Sequence, residues 1–321
     1  MPRRKAQTKP AQPKPAGPER KEQPPTVSAR WLAIASGVAI AAAGACAWLT
    51  LCLLFWQGSW QLLYRPAEAV TRTPASVELA FDPVAFAATE AGEARLKGWW
   101  IPAATGARYA RTTVLYLHGQ SGNLGDAVDA LAALHAVGVN VLAFDYRGYG
   151  QSQFAHPSEA RWREDADWAL QYLTTTRHVA AGTIILDGRD LGANLALEVA
   201  SAHPELAGAV LESPLNSPVD ALFSDPRARL VPARVLVRDR FDVDRAANAL
   251  VIPSLWLIVP PASAKIAEKS GQPTGYERIA ARKTLVRLPP GSNEMGPKGD
   301  EVVAEAFRRW LDDLPGGTGA T

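Results

Sequence analysis

The hydropathy pattern begins with one long apolar run. Residues 31–56 contain no Asp, Glu, Lys or Arg, and about 20 such residues are enough to cross a bilayer as a helix. A buried core helix of a globular protein would be shorter and would have a polar face. The run therefore predicts a membrane anchor over residues 30–57, with residues 31–56 in contact with the bilayer.

After residue 66 the pattern changes to short apolar strands that alternate with amphipathic helices. Apolar strands separated by helices are typical of a parallel sheet that is covered on both faces. We predict one α/β domain over residues 66–314, with a mostly parallel sheet of about eight strands. Strands are expected at 76–81, 95–101, 113–117, 139–144, 183–186, 207–211, 254–259 and 284–288, and helices at 126–137, 159–175, 191–202 and 301–314.

The two ends of the chain have no such pattern. Residues 1–29 are rich in proline, lysine and arginine, and we expect them and residues 315–321 to be disordered. Basic residues cluster before the apolar run, so the positive-inside rule predicts a cytoplasmic N-terminus. The domain would then be extracytoplasmic, and periplasmic in a Gram-negative bacterium. The alternative is a cleaved signal peptide, because residues 45–47 resemble a cleavage site; continuation of the apolar run to Phe55 favours an uncleaved anchor.

Composition excludes several other classes of protein. The formal net charge is only +2, and much of the positive charge lies in the first thirty residues, so no nucleic-acid-binding surface is expected on the domain. The two cysteines, Cys46 and Cys52, lie within the apolar run, which predicts neither a disulfide framework nor a metal site. No cofactor is expected either.

The candidate chemistry centres on the segment from Gly188 to Gly192, which follows an apolar strand and precedes an amphipathic helix. Its sequence, Gly-Arg-Asp-Leu-Gly, has the form of a nucleophile elbow, G-x-S-x-G, with Asp190 in place of the serine. An elbow holds its central residue in a strained turn that Asp tolerates better than most residues do. Asp190 is thus either a replacement nucleophile or a residue that only maintains the turn.

Further segments occur in a characteristic order: Gly98-Trp99-Trp100 on a strand, His118-Gly119-Gln120-Ser121-Gly122 after a buried strand, and Asp145-Tyr146-Arg147-Gly148-Tyr149-Gly150 before the elbow. Together with the elbow they resemble the α/β-hydrolase superfamily, in particular its membrane-anchored, serine-aminopeptidase-like branch of lipases, esterases and thioesterases. The resemblance covers residues 62–314. It implies a short cap at about 213–253 and an oxyanion hole made by the backbone N–H groups of Leu191 and Gln120, in a loop with His118 and Gly119.

The catalytic triad of that superfamily is incomplete in this sequence. The acid turn after strand 254–259 has no carboxylate until Glu268, and Asn293 stands where the histidine is expected. No histidine follows His203, so no base can come from the last turn of the sheet. The serines and aspartates near the expected site are interpreted as structural: Ser121, Ser152, Ser213, Ser292, Asp145, Asp239 and Asp242. Asp187 is a possible source of like-charge repulsion on Asp190.

The sequence thus predicts a membrane-anchored pseudo-hydrolase that binds a lipid, an acyl group or a protein partner, or acts as a scaffold. The alternative is an active, non-standard hydrolase that uses Asp190 and the backbone oxyanion hole. Dehalogenases and epoxide hydrolases of the same superfamily attack carbon with an elbow aspartate, but they need a histidine to hydrolyse the resulting ester.

Overall fold

The computed structural model describes residues 27–221, 223, 226–259, 273–289 and 297–314. The predicted disorder of residues 1–26 and 315–321, the acid turn after residue 259 and Asn293 lie outside these residues. The chain divides into two compact units, Met1–Thr50 and Leu51–Thr321.

The described part of the first unit is helical. Helix α1 runs over Ala29–Gly58, and it is long and apolar enough to cross a membrane. Apolar side chains before Thr50 are exposed, including Trp31, Ile34 and Ile40. A helix that is apolar on all sides and exposed along its length is unstable in water, so this segment is a candidate membrane span.

The second unit begins within the last turns of α1. Cys52 and Phe55 are buried in the main hydrophobic core of this unit. A short helix, α2 (Trp60–Leu63), follows, and then a two-residue strand, β1 (Arg65–Pro66). Strand β1 pairs in parallel with a second two-residue strand, β5 (Ser121–Gly122).

An eight-stranded sheet forms the centre of the second unit, in the order β10-β9-β8-β7-β4-β6-β3-β2. The pairs β2–β3 and β3–β6 are antiparallel and the other pairs are parallel. The sheet confirms the predicted mostly parallel α/β architecture. Its strands are β2 (Asp82–Ala88), β3 (Ala94–Ile101), β4 (Thr113–Leu117), β6 (Asn140–Asp145), β7 (Ile184–Arg189), β8 (Gly208–Glu212), β9 (Ser254–Ile258) and β10 (Lys283–Arg287).

One predicted strand is wrong. The segment 76–81 is not a strand; a 3₁₀ turn occupies Pro74–Val77, and the first strand of the sheet begins later, at Asp82. The alternating apolar residues Val77, Leu79 and Phe81 gave the strand pattern. They are partly buried against the core from a loop, so their burial does not require a strand.

Helices cover both faces of the sheet. On one face, α3 and α9 pack together on a core that contains Leu131, Phe307 and Trp310. On the other face, α4, α5 and α8 cover a core that contains Trp162 and Leu195. The helices after α2 are α3 (Val128–Val137), α4 (Glu159–Gln171), α5 (Leu191–Ala202), α6 (Pro218–Ala221), α7 (Ala233–Leu236), α8 (Val243–Ala249) and α9 (Pro297–Asp313).

Candidate functional site

The elbow lies at the carboxyl end of β7, near the middle of the sheet. Asp190 joins β7 to α5 with φ 52° and ψ −120°, outside the regions that non-glycine residues favour. Its backbone N–H donates to the carbonyl of Glu212 on the neighbouring strand at 2.8 Å. The turn therefore has the strained strand-to-helix geometry that exposes a nucleophile in an elbow.

Two glycines allow the backbone to pack this tightly. A Cβ atom on Gly188 would lie 2.2 Å from the carbonyl oxygen of Gly192. A Cβ atom on Gly192 would lie 2.2 Å from the carbonyl oxygen of Leu117 and 2.4 Å from that of His118. Contacts this short with backbone atoms leave room only for hydrogen, which explains the residue type at both positions.

The loop after β4 is fixed from three directions. The hydroxyl of Tyr146 donates to the carbonyl of His118 at 3.2 Å, and the hydroxyl of Tyr149 donates to the carbonyl of Gln120 at 2.8 Å. The same carbonyl accepts a 2.8 Å hydrogen bond from the backbone N–H of Arg65, in the segment that follows the apolar helix. The loop is therefore tied to the start of the second unit.

The side chain of Gln120 fills part of the expected oxyanion hole. Its Oε1 atom accepts a 3.2 Å hydrogen bond from the backbone N–H of Leu191. In the sequence-based interpretation this N–H group stabilises an oxyanion. In the structure it already has a partner, and a substrate oxygen would have to displace an amide carbonyl to reach it.

The Asp190 carboxylate lies on the other side of the same space. One of its oxygens is 3.1 Å from the point where a Cβ atom on Gly119 would stand. The carboxylate makes no capping hydrogen bond to the start of α5. Burial, and secondarily the charge of Glu212, raises the pKa of Asp190, while Arg189 opposes this shift. Asp187 is not among the groups that cause it.

A charged cluster lies directly beneath the elbow. The guanidinium of Arg189 donates to Glu212 at 2.7 Å and to Asp300 at 2.5 Å. Asp187 is fully buried beside them, and neither of its oxygens accepts a hydrogen bond from a described residue. Burial, and then the nearby negative charge of Glu212, raises the pKa of Asp187 well above its ordinary value. One arginine therefore lies beside three carboxyl groups. Because its single positive charge cannot neutralise three carboxylates, the cluster favours the protonated form of Asp187.

Sequence reasoning missed the roles of Arg189, Glu212 and Asp300. Asp300 is 111 positions from Arg189 in the chain, and only the fold brings the two together. The available signal was Arg189 itself, because a charged residue inside an elbow at the centre of a sheet needs a buried carboxylate partner.

The histidine nearest to the elbow does not point at it. His118 is buried, and its Nδ1 atom lies 2.9 Å from the carbonyl of Gly119 while its Nε2 atom lies 3.6 Å from Asp145. Burial lowers the pKa of His118 to about 4 and raises the pKa of Asp145 to about 7. Nδ1 must carry the proton in order to donate to a carbonyl, so the ring is neutral and fixed in one orientation.

The other histidines are engaged elsewhere or lie apart from the elbow. His203 pairs with Asp167 and Glu205, and His156 packs against the ring of Trp60 at 4.7 Å. In the part of the chain that the structure describes, no hydrogen bond or ion pair joins any histidine to Asp190. The structure thus brings together Asp190, Gly119, Gln120 and Leu191, and it brings no histidine to them among the residues that it describes.

Four more of the residues singled out in the sequence have structural contacts, whereas Ser292 lies outside the described residues. Ser121 belongs to β5, and the Ser152 hydroxyl donates to the carbonyl of Asp145. Asp145 accepts a hydrogen bond from the backbone N–H of Leu124, and Asp242 caps α8. Among the described residues no group of three or more His, Cys, Asp or Glu side chains is placed to hold a metal ion.

Comparisons with known proteins agree with this geometry. The sequence model of the serine aminopeptidase family (S33) matches residues 108–252. An uncharacterised protein of Mycobacterium tuberculosis is 28% identical over 286 residues, which are 88% of this chain and 96% of that protein. Human α/β hydrolase domain-containing protein 17C is 34% identical over 143 residues, which are 44% of this chain and 42% of the human protein.

A solved structure shows the same fold. An esterase of Pyrococcus furiosus superposes with a TM-score of 0.56 at 19% sequence identity, covering 77% of this chain and 97% of the esterase. The strand order, the strained elbow and these similarities together show that the chain has the α/β-hydrolase fold.

Proposed function

We propose that this protein is a membrane-anchored pseudo-hydrolase, which keeps the architecture of the elbow and binds a lipid or acyl ligand, or a protein partner, without hydrolysing it. The observation that carries the proposal is the hydrogen bond from the Leu191 N–H to Oε1 of Gln120, directly beside the carboxylate of Asp190. The group that would stabilise an oxyanion is occupied, and the residue that would attack is an acid.

Charge also opposes ester hydrolysis at this position. An acyl-transfer intermediate develops negative charge on oxygen, and enzymes place hydrogen-bond donors or positive groups around it. Here Asp190 stands at the attacking position, and Glu212 and Asp300 lie beneath the elbow. When Asp190 is ionised, its charge repels the oxyanion that the site would have to stabilise.

A small cavity borders Asp190 on the side of Glu212. Among the described residues it is also lined by Ser213, Leu257 and Leu288, and it measures about 10 Å³. A single water molecule needs about 10–15 Å³ measured in this way, and small-molecule sites occupy hundreds. This cavity is therefore too small for an ester.

The alternative function, an active hydrolase built on Asp190, is favoured by one observation. Asp190 has the strained backbone of a nucleophile, and no capping hydrogen bond holds its carboxylate at the start of α5. Attack would form an ester bond between an Asp190 oxygen and the substrate carbon as the leaving group departs. Water must then cleave that ester, and this step needs a base that the described residues do not place there.

Turnover of esters separates the two functions. Full-length protein in detergent should hydrolyse short p-nitrophenyl esters no faster than Asp190→Ala does, because neither has a base. Robust turnover by the native chain that disappears in Asp190→Ala would favour the active hydrolase. Extraction of the purified protein followed by lipid mass spectrometry would identify a retained ligand.

Membrane topology is a separate part of the proposal. The eight Lys and Arg residues in the first thirty positions support a cytoplasmic N-terminus and an extracytoplasmic domain. A reporter that is active only outside the cytoplasm, fused after Leu314, should be active. A reporter that is active only in the cytoplasm should be inactive at the same position, and the reverse result would contradict this orientation.

A further inference from the structure

A second pocket of the second unit lies apart from the elbow. It has a volume of about 490 Å³ and is lined by the end of α1, by α2, by the segment before α4 and by the cap. Pockets that bind small molecules typically measure about 300–1,000 Å³. Nothing in the elbow chemistry uses this pocket, so its chemical character can be considered on its own.

Two arginines give the pocket its charge. Arg161 donates to the carbonyl of His156 at 2.8 Å, and the guanidinium of Arg238 lies 3.9 Å from the centre of the Trp56 ring. The structure gives neither arginine an ion pair with a described residue. One carboxylate, Asp239, also lines the pocket, and it lies against the buried hydroxyl of Tyr64. The lining therefore has more positive than negative groups.

Aromatic residues surround these charges. Trp56 and Trp60 line the pocket, and His156 packs between the rings of Trp60 and Phe154, at 4.7 Å and 5.9 Å. Phe154 is 77% exposed. Tryptophans beside basic side chains are typical of the interface between a bilayer and water.

The position of the pocket along the chain matches that interface. If the bilayer begins near Trp31, about 20 residues at 1.5 Å each bring its far boundary close to Thr50. Trp56 follows six positions later, about 9 Å further along the helix, just beyond the outer edge of a headgroup layer that is about 5–8 Å thick. Cys52 and Phe55 are already buried in the core of the second unit, so this end of α1 is fixed to the pocket wall.

We propose that this pocket binds the phosphate headgroup of an anionic glycerophospholipid from the adjacent leaflet, with Arg161 and Arg238 as the phosphate ligands and Trp56 and Trp60 against the glycerol. Guanidinium groups suit phosphate because they donate several hydrogen bonds in one plane. The proposal rests on the membrane anchoring proposed above, and it does not depend on whether the elbow is active.

Contacts connect this pocket to the loop beside Asp190. Leu63 in the pocket wall is two residues before Arg65, whose N–H holds the carbonyl of Gln120. A headgroup in the pocket would therefore rest against the segment that fixes the Gln120 loop.

Native mass spectrometry of the full chain in detergent tests the proposal. The protein is offered equal amounts of phosphatidylglycerol and phosphatidylcholine, and bound lipids are counted for the native chain, for Arg161→Gln/Arg238→Gln and for Arg111→Gln. Arg111 is an exposed arginine before the amino end of β4, so its replacement is a matched control. Melting temperatures of the three proteins show whether all are folded.

The native chain and Arg111→Gln should bind phosphatidylglycerol several times more strongly than phosphatidylcholine, and the double variant should lose about tenfold in phosphatidylglycerol binding. Equal retention by all three proteins would overturn the proposal. If millimolar glycerol 3-phosphate displaced all of the bound phosphatidylglycerol, the pocket would be a site for a soluble phosphate and not for a lipid. Failure of the native chain to float with liposomes would overturn the anchoring, whereas flotation without any lipid preference would overturn only the pocket.

Discussion

The second unit contains two contrasting sites. The elbow has the backbone geometry of a catalytic centre, but a side-chain amide occupies the Leu191 N–H, and a cavity that borders Asp190 measures only about 10 Å³. The pocket at the end of α1 has no catalytic geometry, yet it is about 490 Å³ in volume and is lined by arginines and aromatic rings. Under the two proposals above, the site that binds a ligand lies apart from the position where the fold places chemistry.

The largest expected effect comes from removing the cation beneath the elbow. Arg189→Met leaves Asp187, Glu212 and Asp300 without their shared partner, and breaking a buried pair in this way costs about 3–5 kcal/mol of unfolding free energy. Chemical denaturation of the full chain in detergent measures this loss. Arg238→Met in the open pocket is the matched change, and it should cost less than about 1 kcal/mol because that side chain is exposed. If both variants lost the same unfolding free energy, the cluster beneath the elbow would be no more tightly packed than the pocket at the end of α1.

Steric crowding at the elbow should give the next largest effect. Gly192→Ala forces a methyl group against the carbonyl oxygens of Leu117 and His118, at 2.2 Å and 2.4 Å. We expect a loss of about 2–3 kcal/mol, since neither backbone oxygen can move freely. Gly182→Ala is the control, because its added methyl group would meet its nearest atom only at 3.8 Å. A melting temperature for Gly192→Ala that matches the control would show that the elbow is looser than described.

A smaller, pH-dependent effect is expected at Asp187. The pKa of Asp187 is raised in the folded protein. Its contribution to the free energy of unfolding is therefore most favourable below the pKa that it has in the unfolded chain, and this contribution is lost as the pH rises towards the pKa that it has in the folded protein. Asp187→Asn cannot ionise and should therefore be more stable than the native chain at pH 7, by about 1–3 kcal/mol. Below about pH 4 the difference should vanish. Denaturation at both pH values measures it, and a variant that is less stable at pH 7 would show that the Asp187 carboxylate is needed in its ionised form.

The sequence predicted the architecture well where local patterns decide it. The apolar run, the alternation of strands and helices, and the glycines of the elbow all follow from short-range rules of periodicity and backbone sterics. The segment 76–81 shows the limit of such rules. Alternating apolar residues can be buried from a loop as well as from a strand, and Pro74 begins a 3₁₀ turn there instead.

The chemical details of the two sites could not be predicted from sequence alone. Whether the side chain of Gln120 accepts a hydrogen bond from the N–H of Leu191 depends on a rotamer that the surrounding loop selects. Arg161 and Arg238 look like ordinary surface residues in the sequence, and only the fold places them on the same pocket beside Trp56. Such arrangements depend on contacts between residues far apart in the chain.

One double variant tests most directly whether the elbow has kept its architecture without a base. Asp190→Ser/Gln120→Ala restores the hydroxyl nucleophile, removes the carboxylate and frees the Leu191 N–H in a single protein. Hydrolysis of p-nitrophenyl butyrate by this variant, measured in detergent beside the native chain, should stay at the level of the native chain because no histidine reaches the serine. Turnover that rises clearly above this level would contradict the account and would show that another group of this chain acts as the base.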